Sequence, residues 1–127
     1  MEYNFNCCLE VSSKRDSFQQ NFESTSAYFK NGIDRLANLM VGELDSLNKT
    51  AKETFGGDEQ NYPLLCMTMR LRVHNSFVSD TDIEAVHSHH FRLFNHNSLR
   101  AAFLAVRFPT LERIRDQIAS IASRKGE

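Results

Sequence analysis

Strict alternation of apolar and polar positions opens the chain. Tyr3, Phe5, Cys7, Leu9 and Val11 stand on one side, and Asn4, Asn6, Cys8 and Glu10 on the other. A period of two over nine residues predicts a strand with one face covered. The pattern returns further on, where Leu65, Met67, Met69, Leu71 and Val73 alternate with Cys66, Thr68, Arg70, Arg72 and His74. Between these segments the period changes. Phe18, Phe22, Thr25, Phe29, Ile33, Leu36, Met40, Leu44, Leu47 and Ala51 follow one another at three or four positions, which is one face of a helix. Ser12-Ser13 offers an N-cap, with Asp16 three residues after Ser13 in the manner of a capping box. An unbroken helix of that length would reach roughly 55–60 Å, against ~30 Å for a small domain. A break is therefore expected at Ser24-Thr25-Ser26 or at Asn31-Gly32, with the longer helix over 33–54.

The second half is punctuated by turns. Residues 56–63, with Gly56-Gly57 and Pro63, predict a loop, and 79–82 and 95–98 predict turns. Ile83, Ala85, His87, His89, Phe91 and Leu93 share a parity that fits a third strand; a helix starting at Ser79 or Thr81 is the alternative. The run from Leu99 to Phe108 fits a helix through Leu99, Ala102, Phe103 and Val106, or a central strand. Pro109-Thr110 is expected to restart the chain. Leu111, Ile114, Ile118 and Ile121 then form the stripe of a C-terminal helix, with Glu112 in its first turn and Arg124 and Lys125 at its end. Together these elements predict a single domain over 1–127. Its fold class is α+β: a small, mainly antiparallel sheet covered by a long helix, broken or continuous, and a C-terminal helix.

Composition narrows the class. The chain has 127 residues, 41% of them hydrophobic and 24% charged, enough apolar side chains for a packed core. No apolar run approaches the ~20 residues of a membrane span, and the first residues lack the basic and apolar regions of a signal peptide. Cys7, Cys8 and Cys66 are too few and too oddly placed for a disulfide framework. They read as free thiols of a reducing compartment, so a cytoplasmic location is expected. The net charge of −1 is unevenly spread. Residues 1–63 hold ten acids and six bases, while 64–127 hold nine bases, six acids and all five histidines.

Candidate chemistry is sparse. His87, His89, His90 and His96 fall within ten positions. On a strand His87 and His89 share a face, about 6.6–6.8 Å apart, and His74 or His96 would complete the set from a neighbouring strand or turn. No Cys-x-x-Cys or His-Glu-x-x-His spacing accompanies them, so they are weak metal candidates, and no metal or cofactor is expected. None of the cysteines sits at a helix N-terminus, where thiolates are stabilised. Nucleophile elbow and phosphate loop are both missing, and no enzyme is expected. Arg70 and Arg72 share the outer face of their strand, where they would pair with Glu10 or Glu84 or, with Arg92, meet an anionic partner. The apolar face of the long helix is broad, and Leu39 and Val41 are its candidate partner-binding positions. The expectation is a non-catalytic protein-binding module, an adaptor or inhibitor of a larger complex, acting as a homodimer. A nucleic-acid-binding domain using the arginine-rich half is the alternative, and a histidine-based metal site the second.

Overall fold

The computed structural model describes residues 2–56, 63–75, 82–94 and 96–125. Six elements follow in the order β1 (Tyr3–Ser12), β2 (Ser17–Ser26), α1 (Phe29–Phe55), β3 (Leu64–His74), β4 (Ile83–Arg92) and α2 (His96–Lys125). The four strands form one sheet in the order β2-β1-β3-β4, antiparallel at every pairing. β2 and β3 therefore run parallel with β1 between them, and α1 is the crossover that joins them. The α+β class expected from the sequence is the one observed. Of the expected loop over 56–63 and turn over 79–82, residues 57–62 and 79–81 lie outside the described residues, as does Asn95; the rest of the turn expected over 95–98 is instead the start of α2.

Both helices cover the same face. Alternating inward residues are buried on β1 (Phe5, Cys7, Leu9, Val11), on β3 (Leu65 to Val73) and at the start of β4 (Ile83, Ala85), while β2 buries Phe22 and Ser24. α1 lays Ile33, Leu36, Met40, Leu44, Leu47 and Ala51 over β1 and β2, and α2 lays Leu99, Phe103, Val106 and Ile114 over β3 and β4. No helix is long and apolar enough to cross a membrane among the described residues.

Two expectations are corrected. Residues 17–26 are a strand, not the first turns of a helix. Phe18 and Phe22, four apart, fit a period of two as well as one of 3.6. The inward positions between and after them are Gln20, Ser24 and Ser26, so no apolar alternation is visible. Ser13 does cap, but it caps a hairpin turn. Its Oγ accepts the N–H groups of Arg15 (3.3 Å) and Asp16 (3.1 Å), and its own N–H donates to Asp16 O at 2.7 Å. The same side-chain chemistry closes a helix start and a serine turn. The long helix accordingly begins at Phe29 and passes through Asn31-Gly32 unbroken.

Nor does the chain restart at Pro109. α2 runs through it from His96 to Lys125. Proline removes one N–H and crowds the preceding turn, yet Ala102, Val106, Thr110 and Ile114 keep a single buried phase across it. The hydroxyl of buried Thr110 donates to Val106 O at 2.6 Å. Packing against β3 and β4 holds the helix where propensity alone would end it. The ambiguous stretch from Leu99 to Phe108 is thereby helical.

Candidate functional site

Two surfaces carry the residues singled out in the sequence. The first is the sheet face away from the helices. Its central rows read Asn21, Cys8, Arg70, Val86 and Glu23, Asn6, Arg72, Glu84 across the four strands. Arg70 and Arg72 stand on it together, as their parity requires. Both reach to β4: Arg70 Nη1 donates to Glu84 Oε1 at 2.9 Å and Arg72 Nε to Glu84 Oε2 at 2.8 Å. One carboxylate is thus shared by two guanidinium groups, each about half exposed. Glu10 faces Gln19 and Thr68 instead. Arg92 lies on the same face at the end of β4, opposite Leu64. Over these strands the face carries three arginines, Arg70, Arg72 and Arg92, against three glutamates, Glu10, Glu23 and Glu84. A shallow pocket of about 230 Å³ runs across it past Cys8, Glu23, Arg70 and Arg72.

The thiols divide between the faces. Cys7 is buried against Met40, Sγ to Sδ 3.8 Å, and its pKa is pushed up to about 12, chiefly by burial and next by the neighbouring Cys8. Cys8 is half-buried and its Sγ donates to Gln19 Oε1 at 3.6 Å, an amide oxygen that cannot serve as a base. Cys66 lies beside Thr68 Oγ1 at 3.9 Å. All three are free thiols.

The histidines do not converge within one copy. His87 and His89 point to the helix side of β4, opposite Met69 and Met67, while His90 points to the open face opposite Cys66. His74, at the far end of β3, is paired with Asp82 at 3.1 Å. His96 opens α2, and its side chain lies outside the described residues. Among the described residues no three His, Cys, Asp or Glu side chains come together as a ligand set.

The second surface lies between the helices. α1 and α2 diverge over a groove of about 410 Å³, floored by Ile33 and Leu111 and rimmed by Asp34, Phe108, Glu112, Arg115 and Asp116. Leu104, Phe108, Leu111 and Arg115 follow at i, i+4, i+7 and i+11, one ridge along α2. Phe108 is 65% exposed on that ridge and Leu104 38%. Val41 follows Asp34 by seven positions and stands on the groove side of α1. Leu39, also exposed, is two residues away from Val41 and so points about 200° from it. The two candidate positions of α1 do not share one contact surface. Phe108 and Leu104 are the residues that the sequence reading missed. A cavity of about 540 Å³ lies beside Lys14, Arg15, Phe55, Gly56 and Pro63.

No family model matches this chain, and no curated protein or solved structure matches it either.

Proposed function

We propose that this chain is a non-catalytic protein-binding module, working as a homodimer, that receives an apolar segment of a partner protein between α1 and α2. The observation that carries the reading is the exposed aromatic ring of Phe108 on the rim of the inter-helix groove. A large apolar side chain left in water beside a groove, with charged residues around it, has the composition of a binding hot spot. Leu111 lines the groove beside it, and Leu104 continues the same ridge of α2 one turn earlier. Arg107 and Arg115 alternate with Asp34, Glu112 and Asp116 around it, a mixed rim that fits a protein surface better than a phosphate backbone.

The open sheet face is the weaker candidate. Its arginines are answered by as many glutamates, and Glu84 already engages two of them. A nucleic-acid reading would need an uncompensated basic stripe.

Affinity purification from the native host, comparing the wild-type chain with Phe108→Asp, tests the reading. A partner recovered with the first and lost with the second, at unchanged thermal stability, is the expected result. Equal recovery would remove the groove from the account. Fluorescence polarisation with labelled single-stranded and duplex DNA gives the alternative its own test, since genuine phosphate binding weakens steeply with salt.

A further inference from the structure

We propose that β4 is the edge through which two copies join, and that the join completes a divalent transition-metal site from His87 and His89 of each copy. The inference rests on the homodimer in the reading above and adds to it an interface and a ligand.

The edge comes first. Among the described residues β4, ten residues long, pairs with β3 alone, so its other side presents a row of backbone donors and acceptors. Ser88, His89 and His90 are exposed in succession. Successive strand residues point to opposite faces, so both faces of this stretch are uncovered. Neither Pro nor Lys, the usual guards of an edge, occurs in the strand.

A second copy fits this edge by symmetry. A two-fold axis at Ser88, perpendicular to the sheet, sets β4 antiparallel to its mate. His87 then faces His89 of the second copy, and the reverse. The same register sets Ala85 opposite Phe91 across the axis, a small-with-large apolar pair that occurs twice. Shifting the mate by two residues in either direction loses both His87–His89 oppositions.

The ligands follow from that register. Opposed residues stand about 4.5–5.5 Å apart across the strands, and His87 and His89 about 6.6–6.8 Å apart along each. Four imidazoles therefore surround the two-fold axis on the helix side of the joined sheet. One copy brings two ligands, too few for a closed site, whereas two copies bring the four that tetrahedral zinc takes. Neutral imidazole suits zinc, copper and nickel over calcium or magnesium. Within a single copy the described residues hold no ligand set. A metal shared across the axis would stabilise the dimer by mass action, since it binds only the assembled form.

Light scattering of the full chain in EDTA and with added zinc ion, together with calorimetric titration by zinc, tests this. The expected results are one zinc per two chains and a dimer strengthened by zinc. His87→Ala and His89→Ala should each abolish the zinc response, and His90→Ala, on the other face, should leave it intact. Ser88→Cys should oxidise to a disulfide-linked dimer, because Ser88 meets its own copy at the axis. A dimer in EDTA that takes up no zinc would overturn the metal site and leave the homodimer standing. A monomer under both conditions would overturn both. Zinc bound one per chain, a zinc response surviving in His89→Ala, or no covalent dimer from Ser88→Cys would each overturn the proposed join.

Discussion

Gly32 in the first turns of α1 lies directly against the ring of Phe5 on β1. A Cβ built at Gly32 would overlap Phe5 Cε2 and stand 2.8 Å from Cδ2. The glycine is a contact between helix and sheet, placed where α1 crosses a ring that is 1% exposed and packs on Phe29 at 5.6 Å. Two effects oppose each other in Gly32→Ala. Helix propensity favours alanine by about 1 kcal/mol, while overpacking a filled core costs about 1–3 kcal/mol. The close approach decides the sign, and chemical denaturation should give a net loss of stability. A gain would mean that α1 does not sit on Phe5 as described.

Glu84 is the hinge of the open face, and its removal separates structure from electrostatics. All three partners are solvent-accessible, so Glu84→Ala should cost no more than about 1 kcal/mol. It also frees Arg70 and Arg72 together. Retention on heparin should rise, with elution at higher salt than the wild type. Unchanged elution would show that the two guanidinium groups are not held back by this carboxylate.

Legibility in the sequence followed contrast between faces. β1 and β3 were readable because each inward residue is apolar and most outward ones polar. Parity alone set Arg70 and Arg72 on the outer face with Glu10 or Glu84 as partner, and the strand register decides for Glu84. β2 was not readable, since Phe18 and Phe22 satisfy two periods at once and its other inward positions are polar, as an edge strand under one helix allows. α2 was read in two pieces because Pro109 is a strong local signal, and tertiary packing overrides it. The same misreading hid the groove. Leu104, Phe108 and Leu111 fall on one ridge only when the whole run is given a helical phase.

Cys7 makes alkaline stability measurable at one residue. Its thiol ionises near 9.0 ordinarily and at about 12 when buried in the fold. Below pH 9 both states keep the proton, and the group favours neither. Above pH 9 the unfolded chain releases it while the native chain retains it. Stability therefore falls as pH rises through this window, by up to about 1.4 kcal/mol per pH unit from this group. Cys7→Val removes the ionisation and keeps an apolar side chain. Urea midpoints between pH 9 and 11 should fall less steeply in the variant than in the wild type; parallel curves would refute the burial assigned to this thiol.

Phe108 offers the sharpest division between fold and function. Its ring is 65% exposed on the outer ridge of α2, away from the buried phase of Val106 and Thr110. Phe108→Asp should therefore shift folding stability by no more than about 0.5 kcal/mol, the range of ordinary surface substitutions. An anchor in a binding groove behaves otherwise, and its loss costs about 2 kcal/mol or more in affinity. Leu39→Asp, on the flank of α1 that points away from the groove, serves as the control. The expected pattern is an unchanged melt for both variants, with partner recovery lost for Phe108→Asp and retained for Leu39→Asp. Recovery lost only in Leu39→Asp would move the docking surface to the other flank of α1. A melt lowered by many degrees in Phe108→Asp would show that the ring belongs to the core and that α2 is rotated from the orientation described.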